Sequence, residues 1–136
     1  MTSFIFTSGT SAPQTLVGGE LGIIGAAATV SDASGGGAIV GVAAAGQPLD
    51  LIVHGQVYSL SATAIGFGGG LQSITIGATG IVSAAGAGAV NYSGIFMSPS
   101  DSGSSLVNFG QIIGNSRGIS IQGGATTPFV LVQNAG

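Results

Sequence analysis

Short runs in which apolar and polar residues alternate recur along most of the chain. Clear examples are residues 3–6, 57–60, 73–76 and 118–121, and glycine-rich segments separate them. Alternation with a period of two and enrichment in β-branched residues indicate strands, whereas glycine is unfavourable inside helices. The pattern therefore predicts an all-β chain of many short strands.

A glycine followed by any residue and then an aliphatic residue recurs at a similar interval. The copies begin at Gly22, Gly55, Gly80 and Gly110, which lie 33, 25 and 30 residues apart, and Gly136 follows 26 residues later. A repeat of this length made of short strands is typical of a solenoid. We predict a right-handed parallel β-solenoid (β-helix) with about 25–30 residues per coil and about four to five coils, stacked about 4.8 Å apart.

The repeat makes residues 1–136 a single solenoid domain. Residues 1–20 are expected to form an N-terminal strand and a candidate subunit-joining segment, and residues 21–136 the coils. Aliphatic side chains would fill the interior, and glycines would supply the positive φ that corners need. Asn108 and Asn134 fall at the same phase of the repeat, so their side-chain amides are predicted to stack as a ladder.

The chain carries very little charge. Only 4% of its 136 residues are charged, against about 25% in an average soluble domain. They are Glu20, Asp32, Asp50, Asp101 and Arg117. One arginine and no lysine cannot form the basic footprint that nucleic acids require. A surface with so few charges is poorly protected against association, so we expect the protein itself to be its main partner.

The sequence favours neither membrane insertion nor a cleaved secretory signal. The most apolar stretch, residues 37–46, is far shorter than the ~20 residues that a spanning helix needs. The first residues lack a basic n-region and a long apolar h-region. There is no cysteine, which suits an extracellular protein. We therefore expect an extracellular or cell-surface location reached without a cleaved N-terminal signal.

Candidate chemistry is sparse. Asp32, Asp50 and Asp101 are isolated and lack the repeated nonapeptide that binds calcium in some solenoids, so we expect neither a cofactor nor a structural calcium site. The single histidine, His54, follows Asp50 by four residues, which is about 13 Å in an extended segment. We expect no enzymatic activity and assign His54 to packing or to a contact between subunits.

Several segments also resemble a known group of proteins. ITIGATGIVSAAG (74–86), LVNFGQIIGNSRGISIQG (106–123) and LVQNAG (131–136) are similar to the β-solenoid repeats of large bacterial haemolysin-type and haemagglutinin-like exported adhesins. Those repeats typically read N-x-G-x-I-x-G followed by G-I-x-I. The opening, residues 2–24, resembles the starts of such proteins, which leave the cell by a one-step route. The resemblance implies a solenoid fold and a structural, exported protein.

The repeat is unfinished at the last residues, where a further Gly-x-Ile strand would be expected, and the chain opens with a strand that no repeat precedes. We predict that these two ends complete each other between copies, giving a head-to-tail extracellular filament or surface matrix. The predicted joining residues are Phe4, Ile5 and Phe6 at one end and Val130, Val132 and Asn134 at the other.

Arg117, the sole cation, is predicted to form an ion pair with an acid of a neighbouring subunit. Two alternatives to the filament stay open. The chain could be a fragment of a large one-step-secreted adhesin, or an ice-binding solenoid, for which Thr63, Thr75 and Thr79 offer threonines without a regular ladder. A cell-surface or matrix polysaccharide stays open as a further partner.

Overall fold

A computed structural model describes residues 3–86, 92–123 and 129–134, and these residues form strands and turns without a helix. The fourteen strands are β1 (Phe4–Ser11), β2 (Gln14–Val17), β3 (Glu20–Asp32), β4 (Ile39–Val42), β5 (Pro48–Val53), β6 (Gln56–Ser59), β7 (Ile65–Gly68), β8 (Leu71–Ile76), β9 (Ile81–Ala84), β10 (Ser93–Ser98), β11 (Ser104–Asn108), β12 (Gln111–Gly114), β13 (Arg117–Ile121) and β14 (Phe129–Asn134).

The strands form three ladders of parallel pairs. Ladder A runs β1-β3-β5-β8-β11-β14, ladder B runs β1-β3-β6-β9-β12, and ladder C runs β2-β4-β7-β10-β13. Ladders A and B belong to one nine-stranded sheet, and ladder C is a separate five-stranded sheet. Every strand pair is parallel. The prediction of an all-β chain of parallel strands is confirmed.

Two long strands turn a corner and therefore belong to both ladder A and ladder B. Residues 20–24 of β3 pair with β5, and residues 29–32 pair with β6. The first strand, β1, follows the same path along β3, with a register shift between Phe6 and Ser8. Along the rest of the chain successive strands join ladders A, B and C in turn.

Three of the four predicted glycine repeats occupy equivalent positions on neighbouring strands of one ladder. Gln56 pairs with Ile81 and Ile81 with Gln111, so the glycines just before these residues lie in line. Gly22 is different, because it pairs with Leu51 in ladder A. Its assignment as the first copy of the same repeat is wrong. The corner between ladders A and B takes five steps at residues 24–29 and 76–81 but three at 53–56 and 108–111.

The repeat glycines serve close packing, and this corrects the predicted reason for them. A Cβ at Gly80 would overlap the carbonyl oxygen of Val53, and one at Gly110 would overlap the carbonyl oxygen of Gly80. Neither glycine has a positive φ. Positive φ occurs instead mostly at turns that enter or leave ladder C, with 78° at Gly46 and 70° at Gly69.

All three ladders contribute to one apolar core. Alternate residues of each strand point inward, so that equivalent positions of successive strands form buried rows. Fully burying one such aliphatic side chain stabilises a fold by about 1.5–3 kcal/mol. The fully buried rows are Ile24, Val53 and Ile76 in ladder A, Val30, Val57 and Val82 in ladder B, and Ile39, Ile65 and Ile95 in ladder C.

Candidate functional site

The candidate site consists of the two ends of the ladders, where strands have a neighbour on one side only. Among the described residues, β1 and β2 are unpaired on one edge, and so are β12, β13 and β14. We call the first pair the amino-terminal edge and the other three the carboxy-terminal edge. Unpaired backbone N–H and C=O groups make such edges templates for adding a strand.

The predicted joining residues at the amino-terminal edge all lie in β1. Phe4 and Phe6 are half-buried and pack against the core. Their rings stack with centroids 5.4 Å apart and planes inclined by 26°. Ile5 lies between them and is 64% exposed. This strand therefore has an apolar inner row and an apolar outer position, and it carries no charge.

A glycine makes room for the Phe4 ring. A Cβ at Gly22, the register partner of Phe4, would lie 2.6 Å from the Phe4 Cζ atom. The same arrangement occurs inside the core, where a Cβ at Gly41 would lie 2.6 Å from Cδ1 of Phe67 on the paired strand. In both places a ring on one strand occupies the space that a glycine leaves free on the next.

The predicted joining residues at the other end lie in β14, which pairs with β11. Val130 is the register partner of Ser105, and Asn134 is the partner of Asn108. Val132 lies at a register shift. The backbones of Val130 and Val132 belong to β14, and their side chains lie outside the part of the chain that the structure describes.

The structure brings Asn108 and Asn134, the predicted ladder, into contact. The Asn108 side-chain amide donates a hydrogen bond to Oδ1 of Asn134 at 2.6 Å, and Asn108 Oδ1 accepts one from the Gly110 N–H at 3.1 Å. Asn108 continues the buried row of Val53 and Ile76. The row is thus aliphatic in the middle of ladder A and amide-paired at the edge.

An open cavity of about 480 Å³ lies at the carboxy-terminal edge. Ile112 and Ile119 line it, and both pack against the core from one side only. The apolar interior is therefore accessible at this end. The remaining lining residues are Asn108, Gly110, Gln111, Ile113, Gly118 and Asn134.

Exposed large apolar side chains concentrate at the two edges. Ile5 and Val17 belong to the amino-terminal edge, whereas Ile113 and Ile121 belong to the carboxy-terminal edge and Phe109 directly precedes it. The two exceptions, Val42 and Leu60, lie in or beside strands that are paired on both sides.

The acidic groups are mostly engaged within the chain. Asp32 is buried, and its carboxylate accepts bonds from the hydroxyl and N–H of Ser34 and from the N–H groups of Gly35 and Gly37, at 2.6–3.0 Å. These bonds, the Ser34 hydroxyl first, lower the pKa of Asp32 from 3.8 to about 2, although burial opposes the shift. Asp101 accepts a bond from the Gly46 N–H at 2.6 Å. Both carboxylates hold turns.

Arg117 opens β13 at the carboxy-terminal edge, where it is exposed and is the register partner of Ser93. Of its predicted partners, Asp32 and Asp101 already accept bonds within the chain. Glu20 is also buried, and its Oε2 accepts a bond from the Val17 N–H at 2.7 Å. The ion pair between subunits stays a prediction.

The remaining candidates for chemistry lie apart. His54 is exposed at the turn after β5, with its imidazole over Gly77. In the described ranges, no three His, Cys, Asp or Glu side chains come together to hold a metal ion. The same ranges contain no helix that is long and apolar enough to cross a membrane.

Sequence reasoning missed part of the site. It named β1 and β14 but not β12, whose exposed Ile113 and inward Ile112 belong to the same edge. The available signal is the Gly110 repeat, which predicts this strand. Three parallel ladders imply three terminal places at each end, two of which β1 occupies at the amino-terminal edge.

Comparison with known proteins adds no relative: no protein-family model, curated protein or solved structure matches the chain significantly.

Proposed function

We propose that the three ladders are the faces of a right-handed parallel β-solenoid whose two edges join head to tail, so that copies of the chain form a filament. The observation that carries this proposal is the concentration of exposed apolar side chains at the two edges. The two edges differ, so their contact is heterologous and propagates without closing. Strand addition at the backbone would supply its directionality.

The energetics favour covering the edges. Burying an aliphatic side chain fully contributes about 1.5–3 kcal/mol, and Ile5, Val17, Ile113 and Ile121 are all available. New backbone hydrogen bonds add about 0.5–1.5 kcal/mol each. Together these gains are comparable with the roughly 4–15 kcal/mol of rigid-body freedom that association costs.

We further propose that the filament is a structural element outside the cell, such as a surface or biofilm matrix fibre. The low charge and the lack of cysteine support this location. So does the resemblance of residues 74–86 and 106–123 to the repeats of exported adhesins. A filament of stacked parallel ladders would gain the stability of cross-β assemblies.

Electron microscopy of the purified chain and of two matched variants tests the proposal. Ile5→Lys places a charge on the amino-terminal edge, where a lysine blocks strand pairing. Val42→Lys is the control, because Val42 is equally exposed, at 61% against 64%, but lies on a strand paired on both sides. We expect long filaments from the unaltered chain and from Val42→Lys, and monomers from Ile5→Lys.

An unaltered chain that stays monomeric at all concentrations would overturn the proposal. Equal loss of filaments in both lysine variants would also contradict it, because lateral charge would then matter as much as charge at the edge.

A further inference from the structure

The carboxy-terminal edge is stepped. In the part of the chain that the structure describes, ladder A contains six strands, whereas ladders B and C contain five each, since β1 and β3 count in both A and B. The fourteen strands thus occupy sixteen positions in the three ladders, and sixteen is not a multiple of three. After β14 on ladder A, the next place in the order A, B, C lies on ladder B, beside β12.

Because the carboxy-terminal edge is uneven, only some orientations of a second copy cover it without leaving a gap. If its ladder A lies on ladder A of the first copy, its β1 covers β14 but leaves a strand-wide space of about 4.8 Å over β12 and β13. The alternative is to rotate the second copy until its ladder A lies on ladder B of the first. The first half of its β1 then pairs with β12, the second half pairs with β13, and its β2 pairs with β14. All three edges are then paired.

We propose that β1 of a second copy seats on β12, turned by one ladder, and that its Phe4 fills the cavity over Ile112 and Ile119. This inference rests on the proposed head-to-tail assembly and names the strand that receives the joint. In this joint β1, with the predicted joining residues Phe4, Ile5 and Phe6, lies on β12, and β14 lies beside β2 of the second copy.

Turn positions set the register of this joint. Phe6 is the last paired residue of β1 before its register shift, and Gly114 is the last residue of β12 before the turn to β13. Aligning the two turns pairs Phe6 with Gly114, Ile5 with Ile113 and Phe4 with Ile112.

The side chains fit this register. Ile5 and Ile113, exposed by 64% and 50%, become neighbours in one outer row. Phe6 meets Gly114, which brings no side chain to the joint and whose Cβ space is already taken by the Arg117 carbonyl oxygen. Neither β1 nor β12 carries a charge, so the joint needs no buried ion to be paired.

The stepped joint predicts the symmetry of the filament. Sixteen positions at three per coil make about five and one third coils, each about 4.8 Å high. Each copy is therefore displaced from the previous one by about 26 Å along the filament and rotated by about one third of a turn, apart from the twist of the coils themselves. A joint that aligns ladder A with ladder A advances each copy by about 29 Å, because one strand place stays empty on ladder B and one on ladder C, and adds no such rotation.

Crosslinking between single-cysteine variants tests the joint, because the chain has no native cysteine. Ile5→Cys chains are mixed with Ile113→Cys chains, assembled, and treated with a short bismaleimide. The matched mixture uses Ile5→Cys and Gln133→Cys, since Gln133 is the β14 partner of Val107. We expect crosslinked dimers from the first mixture and none from the second.

Helical reconstruction of unaltered filaments gives an independent readout. Filaments with the aligned symmetry, or crosslinking only to Gln133→Cys, would overturn the seating on β12 and leave the proposed function intact. Absence of filaments from the unaltered chain would overturn both. Filaments rotated by about one third of a turn per copy, with crosslinking to Ile113→Cys, would support both.

Discussion

The middle of the ladders and their two edges are built from the same kinds of residue but differ in what covers them. In the middle, Leu51, Val57 and Phe67 are at most 1% exposed, because a neighbouring strand lies on each side. At the edges, Phe4 and Ile112 have the same inward orientation and are only half-buried. The inward side chains of β1 and β12 are therefore left partly open where a neighbouring strand is missing, whereas Leu16 of the edge strand β2 is fully buried.

The edges also lack the features that usually prevent strand addition. Natural edge strands are protected by lysine, proline or a covering element. Among the five described edge strands, Arg117 is the only charged residue and none contains proline. The edge strands thus differ from the strands in the middle of the ladders in exposure and not in composition. This difference supports the proposal that another copy covers the edges.

The largest expected effect on the free energy of unfolding comes from replacing a phenylalanine by alanine in the middle of a ladder, compared with the same replacement at an edge. Phe67→Ala should destabilise the monomer by about 3–5 kcal/mol, because it empties a fully packed site. Phe4→Ala should cost the monomer only about 1 kcal/mol, because that ring is half-buried. Denaturant unfolding at low concentration measures both. Equal losses would show that the edge is already as well packed as the middle.

Close packing at the corner gives the next effect. Gly80→Ala should destabilise by about 2–3 kcal/mol, because its Cβ would overlap the Val53 carbonyl oxygen. Gly66→Ala is the control, because nothing lies within 4 Å of its Cβ position and its φ is not positive. We expect the control to be neutral or slightly stabilising. Similar midpoints of thermal unfolding for both variants would refute the packing argument.

The amide pair distinguishes the end of ladder A from its middle. Asn108→Ala should destabilise by about 1–3 kcal/mol, because the N–H of Gly110 loses its partner. Asn108→Leu separates hydrogen bonding from volume, since it keeps the apolar bulk of the row and removes the amide. If Asn108→Leu unfolds at the same denaturant concentration as the unaltered chain, the hydrogen bonds contribute nothing at this position.

The smallest effect concerns acid and lies within the chain. Because the pKa of Asp32 is lowered from 3.8 to about 2, its carboxylate stabilises the fold fully above about pH 4. That stabilisation, about 1–2 kcal/mol, is lost as the pH falls towards 2. Asp32→Asn should lower stability at pH 7 and flatten its decline between pH 4 and 2. An unchanged pH profile in this variant would contradict the role of these bonds.

Part of this picture was available from the sequence. Alternation predicted strands, and the glycine repeats at Gly55, Gly80 and Gly110 predicted their register, because each glycine lies where backbones approach too closely for a Cβ. Gly22 failed as a member of that series because it lies before the corner of β3, in ladder A, where it pairs with Leu51. Nothing in the alternation reveals on which side of a corner a glycine lies.

Strands, parallel stacking and a surface with few charges follow from periodicity, repeat length and composition, so they could be predicted from the sequence. The ladder that each strand joins is seen only in the folded molecule, and so is the step that leaves an open place beside β12. The physical reason is that a slip of two residues leaves the inward and outward faces unchanged. Register and corner length therefore depend on contacts between neighbouring strands that lie far apart in the sequence.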